Sequence, residues 1–351
     1  MAKVFPVLLM LLATIFSLIV NIFNKLTTTS GMSTSVLTAY RFIFGTMLLA
    51  LLGIYKSWGI RHNLTWKRIC LIFMCGLFGG PMYQNLYLES LRFTSATFAT
   101  AIINLTPVVT FILAKILRLE ILELRTLTRK LKTIGIILSS VGVELLTFYH
   151  HMEINIESIK FDLLSHVKHE MEENHNLVLG LGLVVIATLC NAISLILQKK
   201  IEDDTKGILL IPSLINVMGA IQATIYALCV EKDWAHWKLG WDIRLLAALF
   251  VGVCGSGVNT TIITFCVSKM DPVFVSAFSP MSLMLMVVIG SLLPNEKLYL
   301  TSLIAIVIII ITIVMLLCGK LREMPAHADA NANTDAVTDA DAERLEGPEF
   351  V

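Results

Sequence analysis

The chain has 351 residues, of which 56% are hydrophobic and only 15% charged, and its formal net charge is +1. Soluble globular chains carry roughly 25% charged residues, so water alone does not suit this composition. The near-zero charge, with no basic patch interleaved with aromatics, excludes nucleic acid as a partner.

A membrane span needs about 20 mainly apolar residues. That rule predicts ten spans, near residues 5–24, 33–55, 68–88, 94–118, 131–148, 177–197, 208–230, 243–267, 272–293 and 297–318. The first run lacks a small-residue cleavage site and ends in Asn24-Lys25, so it reads as a helix and not as a signal peptide. The seven cysteines (Cys70, Cys75, Cys190, Cys229, Cys254, Cys266 and Cys318) all lie inside apolar runs or at their ends. An odd count without a CxxC motif favours buried small hydrophobes over a disulfide framework, and no metal or cofactor is expected.

Ten spans put both termini on one side of the bilayer. Of the 27 Lys and Arg residues, eighteen fall on that side and eight on the other, with Arg41 left inside the membrane. The bias predicts cytoplasmic termini. The acidic 149–176 loop then lies on the non-cytoplasmic side. It carries His150, His151, His166, His169 and His175, and the i, i+3 pair at 166 and 169 has no fixed metal geometry, so it reads as a solvated loop. Residues 320–351, rich in Ala, Asp and Asn, read as a disordered cytoplasmic tail. Sequons occur at Asn63, Asn104 and Asn259, and this topology predicts that none carries glycan.

A shift of 176 residues aligns spans three and four with spans eight and nine without a gap. Gly76 meets Gly252, Gly79 meets Gly255, Thr100 meets Ser276, Ala101 meets Ala277 and Glu120 meets Glu296. A shift of 174 places Asn24-Lys25 on Gln198-Lys199. The domains expected are a first five-helix repeat (1–148), the loop (149–176), a second five-helix repeat (177–319) and the tail. Five spans per half force the second half to enter from the opposite side, the inverted arrangement typical of secondary transporters.

Polar residues at mid-membrane depth face a cavity or another helix, because burial without partners costs free energy. In span three Gly79-Gly80-Pro81 precedes Gln84 and Asn85, and in span eight Gly255-Ser256-Gly257 precedes Asn259 and Thr260. Proline and glycine loosen a helix, so both stretches are candidates to line a central site. Close packing through small residues is the alternative. Pro107 in span four and Pro280 in span nine mark kinks amid Thr100, Asn104, Ser276 and Ser279, as hinges for solute passage or as static bends. Asn21, Asn24, Asn191 and Gln198 are candidate donors to a zwitterionic or carboxylate solute, with cross-helix bonding as the alternative. Arg41, about eight residues into span two, costs at least ~2.5–3.5 kcal/mol if isolated and therefore needs a partner. Glu89 and Glu144 lie at similar depth and predict an ion pair, while capture of a substrate carboxylate is the functional alternative.

Several stretches in order, GMSTSVLTAYRFIFGT (31–46), GLFGGPMYQNLYLESLRFTSATFATAIINLTPVVTFILA (76–114), VEKDWAHWKLGWDIRLLAA (230–248) and PVFVSAFSPMSLMLMVVIGS (272–291), resemble the plant Walls-Are-Thin-related, or UMAMIT, transporters. These belong to the EamA branch of the drug/metabolite transporter superfamily, and the likeness covers roughly residues 5–320. It implies an all-α integral membrane protein of ten transmembrane helices in two inverted EamA-type repeats. It further implies a carrier of small organic solutes, amino acids or auxin-like compounds, in the plasma membrane first and the tonoplast second. The sequence departs from the family at Asp271, where Gly is common, and at Asn259-Thr260-Thr261, where aromatics are common, so the substrate is expected to differ. The partners expected are a small-molecule solute and the lipid bilayer, with a homodimer as the protein assembly to consider. No HExxH, GxSxG or P-loop motif occurs, so an enzyme is not expected. A membrane receptor or a channel without saturable carrier activity is the alternative to a carrier.

Overall fold

The computed structural model describes residues 5–29, 31–57, 65–94, 96–117, 127–148, 177–203, 210–240, 243–291 and 303–315. Asn63, Glu120, Glu296, the 149–176 loop with its histidines and the 320–351 tail lie outside the described residues. Every described element is helical. In chain order these are α1 (Phe5–Thr29), α2 (Thr34–Ser57), α3 (Trp66–Leu77), a π segment (Phe78–Met82), α4 (Tyr83–Ser90), α5 (Ala96–Asn104), α6 (Thr106–Ile116) and α7 (Leu127–Phe148). The second half continues with α8 (Leu177–Asp203), α9 (Leu210–Val230), α10 (Ile243–Phe250), a second π segment (Val251–Val258), α11 (Asn259–Lys269), α12 (Pro272–Ser276), α13 (Ser279–Ser291) and α14 (Leu303–Met315).

Six stretches are long and apolar enough to cross a membrane: Phe5–Asn24, Thr34–Leu52, Trp66–Ser90, Val178–Ile201, Leu210–Val230 and Arg244–Lys269. Shorter apolar helices, Thr106–Ile116, Thr133–Leu145, Pro272–Leu285 and Leu303–Met315, stand at the places of the other four expected spans. Two of those four are broken rather than continuous. Leu105 (φ −76°, ψ 0°) leaves helical geometry just ahead of Pro107, which opens α6. Residues 277 and 278 form a turn ahead of Pro280. Proline has no N–H and clashes with the preceding turn, but it suits the first turn of a new helix, so each proline restarts its span.

The outward faces are apolar. On α14, Leu303, Ile304, Val307, Ile310, Ile311 and Val314 are exposed, while Ala305, Ile306, Ile309 and Thr312 are buried. On α1, Leu8, Leu12, Ile15 and Ile22 form a similar stripe. Stripes of this kind on many helices have lipid, not water, as their solvent. The protein is an integral, multi-pass membrane protein.

The halves interlock by exchange. α1 packs on α11, the second π segment and α13 of the second half, while α8 packs on α3, the first π segment, α4 and α6 of the first. α2 and α9 lie against each other, and each also touches the other half's π segment. The contacts repeat at atomic detail. A methyl group added at Gly76 would meet Ile215 O at 3.1 Å, Gly219 N at 3.2 Å and Met218 Cβ at 3.2 Å; one at Gly252 would meet Arg41 O at 3.0 Å, Gly45 N at 3.4 Å and Phe44 Cβ at 2.5 Å. The glycines are 176 residues apart, and their three neighbours are each 174 apart. Likewise Gly79 abuts Ser194 and Gly255 abuts Val20, again pairs related by the two shifts.

Where backbone lies 3 Å from the missing Cβ, nothing flexible can yield. Gly252→Ala is expected to destabilise the protein by about 1–3 kcal/mol through overpacking. Gly182, whose added Cβ would meet nothing within 4 Å, is the control. Thermal unfolding of the detergent-purified protein should show a lowered midpoint for Gly252→Ala and none for Gly182→Ala.

Candidate functional site

Most buried hydroxyls and amides in this bundle are satisfied on their own helix. Thr14 and Thr110 donate to carbonyls four residues back, Asn104 Nδ2 donates to Thr100 O (2.9 Å), Asn216 Nδ2 to Pro212 O (2.9 Å) and Ser276 Oγ to Val273 O (2.9 Å). Such local bonds remove the desolvation cost without linking helices. The informative polar groups are those whose side chains bond to other side chains across helices, and they gather where spans one, two, three, six and eight meet.

The two π segments form the frame. Phe78–Met82 and Val251–Val258 overlap under the 176-residue shift, so the glycine-rich stretches of both halves widen at the same place. In the first, Gly80 (φ −107°, ψ −112°) leaves helical geometry beside Pro81, which supplies no N–H. π segments release backbone carbonyls and are frequent at functional sites. Gly80 and Gly219 both close on the ring of Phe42, which lies between them. Gly257 faces Leu48 of α2.

Arg41 crosses from α2 to both frames. Its Nε donates to Ser256 Oγ in the second π segment (2.9 Å), and Nη1 reaches Gln84 Oε1 just beyond the first (3.5 Å). The expected Arg41 ion pair is not formed. Glu89 turns instead to Arg92 in the turn just past the end of its helix (3.0 Å), where i, i+3 side chains still meet readily. Glu144 is half-buried on α7 and makes no ion pair among the described residues.

A second cross-helix group joins α3, α8 and α11. Gln198 Nε2 donates to Ser194 Oγ (3.4 Å), Thr264 Oγ1 donates to Gln198 Oε1 (3.2 Å), and Ser194 Oγ donates to Cys75 O (3.4 Å). Both ends of the Gln198 amide are therefore committed to the protein. Asn259 Nδ2 donates to Ser17 Oγ of α1 (3.1 Å), while Asn259 Oδ1 and Asn85 Nδ2 are buried with no hydrogen-bond partner among the described residues.

Of the other predicted site residues, Asn21 is exposed on α1, and Asn24, Thr100, Asn191, Thr260 and Ser279 are half-buried. The structure thus brings Gln84, Asn259 and Gln198 into cross-helix contacts and closes Asn104 and Ser276 locally. Sequence reasoning missed Ser17, Ser194 and Thr264 as partners. Only Ser194 left a trace, since a glycine at 79 signals close approach of another helix.

The comparisons with known proteins bear on this framework. Residues 4–148 and 178–318 match the family model described as the EamA-like transporter family, once in each half. The chain belongs to the EamA-like transporter family. Within it, the WAT1-related protein At1g25270 of Arabidopsis thaliana is 33% identical over 317 residues, covering 88% of this chain and 89% of that protein. The WAT1-related protein At1g68170 of the same plant is 33% identical over 327 residues, covering 91% and 92% respectively. A solved crystal structure of a protein shares the fold at TM-score 0.64 with 14% identity, over 87% of this chain and 97% of that chain. EamA-like membership places the chain in a family of membrane transporters.

In this EamA-type chain the Gln198–Thr264 bond is buried. Gln198→Leu would strand the Thr264 hydroxyl and is expected to cost about 1–3 kcal/mol. Adding Thr264→Val should restore part of the loss, so a double-mutant cycle on thermal stability should be non-additive; strictly additive losses would show that the two side chains do not interact.

Proposed function

We propose that the protein is an alternating-access carrier, a facilitator or exporter, of small organic solutes, with amino acids and auxin-like metabolites as the first classes to test. The observation that carries this reading is the pair of π segments at repeat-equivalent places, each touched by the helix pair of the opposite half. Two interlocked units with matching loosened segments are suited to rocking about a site at their seam. In this reading the chain has ten spans, in two inverted repeats at 1–148 and 177–319, and spans one, three, four, six, eight and nine enclose the path. Gln84, Asn85, Thr100, Asn259 and Thr260 line it near the π segments, with Asn21, Asn24, Asn104, Asn191, Gln198, Ser276 and Ser279 along the flanking helices. Gly79, Gly80, Pro81, Gly255 and Gly257 act as hinges with the breaks at Pro107 and Pro280.

Both termini face the cytoplasm, and the plasma membrane is the first host membrane to examine, the tonoplast the second. A homodimer is compatible with the apolar outer faces. The path-lining spans carry no deep Asp or Glu that would relay protons, which supports uniport.

In proteoliposomes, flux of a labelled amino-acid panel should saturate, show counterflow and survive collapse of a pH gradient. Linear, non-saturating flux without counterflow would mark a pore instead. Epitope tags at the two ends should both be reached only from the cytoplasmic side.

A further inference from the structure

The charge at residue 41 has no counterpart in the second half. The packing that sets Gly252 on Arg41 O sets Gly76 on Ile215 O, so Ile215 occupies the repeat-equivalent position. Ile215 is buried among Ile72, Cys75, Ile201 and Ile211. The fold fills the same place with an ordinary aliphatic side chain, so the helix contact itself does not require a cation. The partners of Arg41 are unmatched as well, since the 176-residue shift sets Ser256 on Gly80 and Gln84 on Thr260.

Arg41 is half-buried, so part of the residue is not covered by the rest of the protein. Both of its hydrogen-bond partners are neutral, and the only ion pair among the described residues is Arg92–Glu89. A guanidinium has five N–H donors. Two are engaged, on Nε and Nη1, which leaves three, one on Nη1 and both on Nη2, without an acceptor among the described residues. Ser256 and Gln84 thus hold the planar group in one orientation and leave its charge uncompensated. The ligand that such a fork fits is a carboxylate, which accepts two parallel N–H bonds.

We propose that Arg41 is the docking residue for the carboxylate of a small monocarboxylic solute, with Ser256 and Gln84 as its positioning residues. The inference rests on the carrier reading for where the ligand then goes, but not for its binding. It also makes position 84 a switch. A carboxylate built there would neutralise Arg41 from within and compete with the ligand.

The test is equilibrium binding to the full-length, detergent-purified protein, read by thermal shift. The probes are L-leucine, L-phenylalanine and indole-3-acetate, each beside its own carboxamide. The wild type should bind at least one acid tenfold or more tighter than its amide. Arg41→Gln should weaken the acid at least tenfold and leave the amide unchanged, and Arg41→Lys should recover part of the loss. Gln84→Glu should raise the ligand-free midpoint while losing the acid preference; this variant decides the matter should Arg41→Gln fail to fold. Equal binding of acid and amide by the wild type, or an undiminished acid preference in Gln84→Glu, overturns the proposal. Acid-selective binding without saturable counterflow would uphold Arg41 and remove the carrier reading, whereas saturable flux of acid and amide alike would do the reverse.

Discussion

Backbone against backbone at two glycines sets the rest of this structure. At Gly76 and Gly252 the chain of one half approaches the carbonyl and amide of the other half's second helix closely enough that no side chain fits between them. In lipid, apolar side chains gain nothing by leaving their solvent, so helices associate through close packing and a few internal polar bonds. Small residues at these two places let α3 and α10 with its π segment reach α9 and α2, and that approach draws the polar side chains of the seam within hydrogen-bonding distance. The same physics explains the silent hydroxyls: a group such as Thr14 or Thr110, bonded to its own helix, is tolerated in an apolar setting but positions nothing.

Much of this was legible in the sequence. The ten apolar runs include the places of the six stretches long and apolar enough to cross a membrane and of the four shorter apolar helices, since lipid demands length and apolarity and the chain states both directly. The glycine and proline clusters at 79–81 and 255–257 predicted loosened helices, and both became π segments because those residues withhold a Cβ or an N–H. Pro107 and Pro280 predicted bends, and each starts a new helix.

What was not legible was which face of each helix meets which neighbour. An apolar all-round helix has no stripe that tells inside from outside, so depth was the only guide to partners. Depth suggested Glu89 for Arg41, and it failed because Arg92 stands three residues from Glu89, in the turn that ends the helix. Ser256 was visible only as part of a loose stretch, and its role as the Nε acceptor depends on the rotation that the π segment gives the chain. Ser17 and Thr264 had no signal, for a lone hydroxyl within a span is usually satisfied locally.

The symmetry of the scaffold and the asymmetry of its chemistry are separable, and their separation is informative. Contacts at Gly76 and Gly252 match atom for atom in kind, which is what two equivalent halves need to pack alike. The polar set does not match: Arg41 answers to Ile215, and Ser256 to Gly80. A two-fold frame by itself would present the same surface to a ligand in two orientations, whereas one cation on one side fixes a single orientation. Gly252 touches the carbonyl of Arg41, and Ser256, one turn further along the same π segment, binds its Nε. Any displacement of that segment against α2 therefore acts on Arg41 at both its backbone and its charged end, so that movement of the second half and the disposition of the buried charge are mechanically one event.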